Sequence, residues 1–194
     1  MKVAFGFKAH SGWAALVVIG RSDGQFLVVD RRRMELVEEE WARQPYHAAE
    51  ELKGEAAAKL VKRGINAAHR TATREMRAAL SRERSRKNEI AACAVLVGNP
   101  MPEWTVEQIL AVHFRMHQAE GVLFRDALIN AARKCSVSVV EVPEKTLLDH
   151  AEGALSTSGT DLSKQINALG KLAGPPWGKD QKEAALAAMV ALQF

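Results

Sequence analysis

Two acids near the C-terminus, Asp180 and Glu183, stand three residues apart in a run of helix-forming residues. That spacing puts both carboxylates on one helix face. On the residues alone, such a pair at a helix start commonly caps the helix and complements its dipole. His113 and His117 are one helical turn apart, which is metal-ligand spacing, but no obvious third ligand accompanies them. Ser11 follows His10, yet no Gly-x-Ser-x-Gly elbow surrounds it, so a serine nucleophile is not supported. Lys8-Ala9-His10-Ser11-Gly12 is either a turn that cradles phosphate with its backbone N–H groups or an ordinary turn, and it lacks a glycine fingerprint. The most biased segment runs from Lys59 to Lys87. There Lys59, Lys62, Arg63, Arg70, Arg74, Arg77, Arg82, Arg84, Arg86 and Lys87 face only Glu75 and Glu83 in opposition. A stretch like this is either a solvated helix face or a surface for nucleic acid or another acidic partner.

The chain that must position these groups has 194 residues, of which 47% are hydrophobic, enough for the core of one domain. Aromatics make up 6%, which argues against a single-strand surface built from base-stacking rings. The net charge of +4 raises the expectation of an anionic partner only slightly. Cys93 and Cys135 form no C-x-x-C pair, and two thiols alone do not close a zinc site. A reducing, cytoplasmic setting is therefore expected. The N-terminal residues show no signal pattern. The apolar stretches Trp13–Ile19 and Ile90–Val97 fall far short of the roughly 20 residues that span a bilayer, so no membrane partner is expected.

Three strands open the chain: Val3–Phe7, Gly12–Ile19 and Gln25–Asp30. Asp23-Gly24 between the last two is a hairpin signal. A long helical stretch, Glu38 to Asn88, follows, acidic first and basic later, with Pro45 and Gly64 as expected interruptions. Ile90–Val97 has the continuous apolar character of a buried parallel strand. Thr105 starts a helix, and another spans about Val122–Lys134. Ser136–Val142 is a fifth strand, and Glu144–His150 is a short helix. Asp161 is expected to cap a helix that Gly174-Pro175-Pro176 ends, and the last helix runs from about Lys179 to Leu192. Three antiparallel strands followed by alternating helices and parallel strands imply a mixed sheet covered on both faces.

Four segments in this order resemble the Holliday-junction resolvase branch of the ribonuclease H-like superfamily. Gly6-Phe7-Lys8 with Gly12-Trp13 is similar to the first strand and turn, where the family has Gly-hydrophobic-Asp and then Gly-Trp. Glu120-Gly121-Val122-Leu123 resembles its central helix. Val140-Glu141-Val142-Pro143 with Lys145 resembles the fifth strand and the segment after it, and Lys179-Asp180-Gln181-Lys182-Glu183-Ala184 the C-terminal acidic helix. The resemblance implies one α/β domain over residues 1–194, a ribonuclease H-like mixed sheet with a helical insertion at about 38–88.

In that family four carboxylates hold two metal ions, which activate water and neutralise phosphate. The resemblance supplies the final-helix pair as Asp180 and Glu183. It places Lys8, a cation, where the first-strand acid belongs, unless Lys8 is simply a solvated strand end. Ala91–Val97 offers no fourth-strand acid. The remnant of the site is thus Asp180, Glu183, Lys8 and Glu141. Three readings follow. The first is a non-catalytic domain that binds nucleic acid or another anion through Arg70, Arg74, Arg77, Arg82, Arg84 and Lys87, with no cofactor. The second is a nuclease with relocated carboxylates, Asp30, Glu35 or Glu141, using Mg²⁺ or Mn²⁺ at Asp180 and Glu183. The third is a structural or protein-interaction domain whose charged helices make a homo-oligomer interface.

Overall fold

A computed structural model describes all 194 residues. Three strands, β1 (Lys2–His10), β2 (Trp13–Ser22) and β3 (Gln25–Glu35), form an antiparallel meander. Asp23 and Gly24 join β2 to β3 with φ of 51° and 79°, the left-handed pairing that a tight hairpin needs. A 3-10 turn (Glu40–Arg43) and a four-residue helix α1 (Pro45–Ala48) lead into α2 (Gly54–Ser85). Then come β4 (Glu89–Val97), α3 (Val106–Leu110), α4 (His113–Lys134) and β5 (Val139–Pro143). After a 3-10 turn at Glu144–Thr146 the chain ends in α5 (Leu147–Leu155), α6 (Gly159–Ala173) and α7 (Lys179–Ala191). The sheet order is β3-β2-β1-β4-β5, with β4 parallel to both β1 and β5.

Because strand side chains alternate, β1 feeds two cores. Val3, Phe5 and Phe7 pack with α2 and α4 residues such as Met76, Leu80, Phe124 and Leu128. Ala4 packs on the other face with Leu162, Ile166 and the α7 run Ala184–Leu192. Phe5, Phe7 and Phe124 are fully buried, and burial of each side chain contributes about 1.5–3 kcal/mol. Gly6 lies on the α7 face. A Cβ there would stand 1.8 Å from the Ala184 carbonyl oxygen, so only glycine lets α7 cross β1 this closely. This contact sets how the start of α7 meets the end of β1.

Several local expectations are corrected. Gly64 does not interrupt α2. It is buried where the helix meets Pro45, and a Cβ would lie 2.4 Å from the Pro45 Cβ. The helix expected at Val122 begins at His113, and the N-cap of α6 is Ser158, whose hydroxyl accepts from the Asp161 N–H. The second half of α2 covers the sheet, whereas Ala57 and Val61 in its first half form a separate small cluster with Tyr46, Ile109 and Met116. No helix is long and apolar enough to cross a membrane.

Candidate functional site

Lys8 is two residues beyond Gly6 and shares its face of β1, so it points at the first turn of α7. It is only 7% exposed. Its ammonium contacts the Glu144 carboxylate and lies 2.9 Å from Glu183 Oε2. Glu144 also takes a contact from Arg125 at 3.3 Å, and Glu183 lies 3.7 Å from Lys179 Nζ. Burial pulls the Lys8 pKa down, but the hydrogen bonds and charges of Glu144 and Glu183 outweigh it and hold the ammonium above its ordinary value of 10.5. Burial likewise pushes Glu144 up, and its bond to Lys8, aided by Arg125 and Lys179, brings it below its ordinary 4.5. Lys8 is therefore not a solvated strand end.

Asp180, one helical turn before Glu183, turns to the neighbouring strand residue His10, whose Nε2 is 3.0 Å from Asp180 Oδ2. The imidazole stacks on Trp13, with ring centroids 4.3 Å apart and planes at 12°. The Arg33 guanidinium covers the Trp13 ring at 3.9 Å. A ladder from β3 through β2 and β1 to α7 thus fixes one acid, and Lys8 fixes the other. The approach to α7 is held by Arg31, whose guanidinium donates to the Ala173, Gly174 and Pro175 carbonyls at 2.8–2.9 Å, and also to Pro176.

Asp180, Glu183 and Lys8 thus come together. Glu141 does not join them. It lies on the α4 face of β5, 3.1 Å from Arg133, because one step along a strand reverses the face. The adjacent acid that does reach Lys8 is Glu144, just past the end of β5. Sequence reasoning missed it; the signal that could have found it is its position, since ligand groups in open α/β sheets gather at the carboxyl ends of parallel strands. Neither relocated ligand takes part: Asp30 pairs with Arg32, and Glu35 with Arg33 and Arg43. β4 contains one acid, Glu89, but it pairs with Lys2 at the far end of β1. On the α7 face beside Lys8, β4 presents Leu96. The Lys8 ammonium lies between Glu144 and Glu183, the position a metal ion held by those two carboxylates would take.

The basic residues divide along α2. Arg70, Arg74 and Arg77 share one exposed stripe and, with Asn66, His69, Thr73 and Lys134, line a cavity of about 500 Å³ without a hydrophobic side chain. Arg74 is engaged by Glu38 and by Glu75, the latter at 2.9 Å. Arg82, Arg84 and Lys87 lie near the start of β4, at the opposite end of the sheet from Lys8. They do not belong to that groove.

Among solved structures, the chain is similar to that of RuvC from Thermus thermophilus, with 13% identity and a TM-score of 0.50 over 97% of this chain and 92% of that one. It is also similar to T. thermophilus RuvC in complex with a Holliday junction substrate, with 12% identity and a TM-score of 0.53 over 97% of this chain and 91% of that one. The fold is ribonuclease H-like. At these identities the likeness is one of fold alone. No family model matches the sequence, and no curated protein does.

Proposed function

We propose that this chain is a ribonuclease H-like domain that binds nucleic acid through its phosphates and does not cleave it. The observation that carries this reading is Lys8, whose ammonium occupies the acidic corner where a ribonuclease H-like nuclease needs metal ions. A built-in cation neutralises Glu144 and Glu183, which removes the electrostatic demand for a divalent ion. It brings no coordinated water and no second positive centre to stabilise a leaving oxygen. The surface for phosphate is the groove of Arg70, Arg74, Arg77 and Lys134, which no hydrophobic residue lines. Structural likeness to a protein solved with a four-way DNA junction supports DNA as the partner to test first.

The test is fluorescence anisotropy with a labelled four-way junction and a duplex of unrelated sequence, from 50 to 200 mM salt. Four phosphate contacts predict a slope of log affinity on log salt of about −3.6. The triple variant R70E/R74E/R77E should bind more weakly and lose about 3 units of that slope. Wild-type protein that fails to bind at 50 mM salt, or a variant that binds equally well, overturns the reading.

A further inference from the structure

The helical end of the domain brings together three imidazoles that the sequence keeps far apart. His113 and His117 occupy the first turns of α4, and His47 comes from α1. The ring centroids of the three are 4.5–5.0 Å apart, and one ligand nitrogen from each lies within 4.8 Å of the others. The Nε2 atoms of His113 and His117 are 3.1 Å apart. That is close to the edge of a tetrahedron with metal–nitrogen bonds of about 2.0–2.1 Å.

The surroundings are as informative as the rings. His47 Nδ1 lies 2.9 Å from both oxygens of Glu120, a carboxylate only 1% exposed, and the His47 backbone N–H donates to the same group at 3.2 Å. This engages Nδ1 and leaves Nε2 as the nitrogen available to a ligand. That Nε2 atom is buried and has no hydrogen-bond partner, which an isolated imidazole in a core avoids. His113 Nδ1 has a second carboxylate, Glu50, at 3.8 Å. Carboxylates behind the outer nitrogens of converging histidines are the arrangement that orients imidazoles toward a metal ion.

We propose that His47, His113 and His117 form a site for a divalent transition ion of the imidazole-preferring class, zinc foremost, with Glu120 orienting His47. Three nitrogen ligands leave a fourth position, and the exposure of His113 and His117 opens it to solvent. The ion would tie α1, only four residues long, to the start of α4. The site is separate from Lys8 and its acids and does not rest on the nucleic-acid reading.

The experiment is zinc titration of the full chain against a chromophoric chelator, together with visible absorption of the cobalt(II)-loaded protein. One equivalent of zinc, and cobalt bands of tetrahedral intensity, are expected. H113A and H117A, both at exposed positions, should abolish both signals while unfolding as cooperatively as wild type. E120Q should weaken zinc binding by about 10–100-fold, and H150A, a histidine outside the cluster, should change nothing. Absence of stoichiometric binding overturns the proposal. So does binding that survives H113A and H117A, or binding that D180N/E183Q abolishes instead, since the ion would then lie at the acidic corner.

Discussion

Replacing Lys8 with methionine keeps the apolar stem and removes the ammonium, leaving Glu144 and Glu183 without their shared cation. Two charge-assisted contacts are lost, to Glu144 and to Glu183 at 2.9 Å, and each such bond contributes about 1.5–3 kcal/mol. Two facts reduce the total. The two carboxylate side chains are 29% and 22% exposed, so solvent screens part of the charge. Arg125 at 3.3 Å and Lys179 at 3.7 Å remain as partners. The expected loss is about 2 kcal/mol, below the 3–5 that follows from stranding a fully buried charge. For a chain of this size that lowers Tm by about 4–8 °C. Its pH dependence follows from the two shifts. Glu144, held below its ordinary 4.5, contributes fully above that pH and loses its contribution as pH falls through its folded value. Lys8, held above 10.5, contributes fully below that pH and loses its contribution as pH rises through its folded value. The K8M deficit should therefore be full from about pH 4.5 to 10.5 and shrink outside that window. Urea unfolding followed by circular dichroism at pH 7 and at roughly pH 3 measures it. A variant as stable as wild type at pH 7, or a deficit undiminished in acid, would refute the reasoning.

Three further outcomes are expected. K8D places a third carboxylate against Glu144 and Glu183, so calorimetry should detect manganese binding that disappears again in K8D/E183Q; equal manganese affinity in wild type and K8D would contradict the role given to Lys8. G6A forces a methyl into the Ala184 carbonyl oxygen, 1.8 Å from the required position, and overpacking against backbone should cost about 3 kcal/mol; a Tm within 2–4 °C of wild type, about 1 kcal/mol, would show that α7 does not rest on β1 there. R31M leaves four carbonyls before α7 without their donor, and a loss of about 1.5–3 kcal/mol by chemical denaturation is expected.

Strand order was legible because its signals are local. Asp23-Gly24 marks the hairpin, and the unbroken apolar run before Gly98 marks a strand buried on both faces. The spacing of Asp180 and Glu183 was legible as a local helix signal, but their place beside Lys8 was implied only by the family resemblance, because β1 and α7 lie at opposite ends of the chain. The remaining site residues depend on contacts made across the chain. Glu144 reaches Lys8 across 136 positions, and Glu120 meets His47 across 73. The two His113–His117 rings suggested metal spacing, but their third partner sits in a helix of four residues with no periodicity of its own. Glu141 was misplaced because a strand's period of two makes a one-residue offset a change of face. Gly64 suggested a helix break on composition, whereas close packing against Pro45 explains a glycine inside a continuous helix.

We propose that the Lys8 ammonium stands in for metal ions in a nucleic-acid-binding, ribonuclease H-like domain. Incubating the full chain with a labelled four-way junction in 10 mM manganese, at low salt where binding is measured in parallel, tests it most directly. A retarded complex with every strand intact is expected. Junction strands cut in a manganese-dependent reaction that D180N abolishes would contradict it.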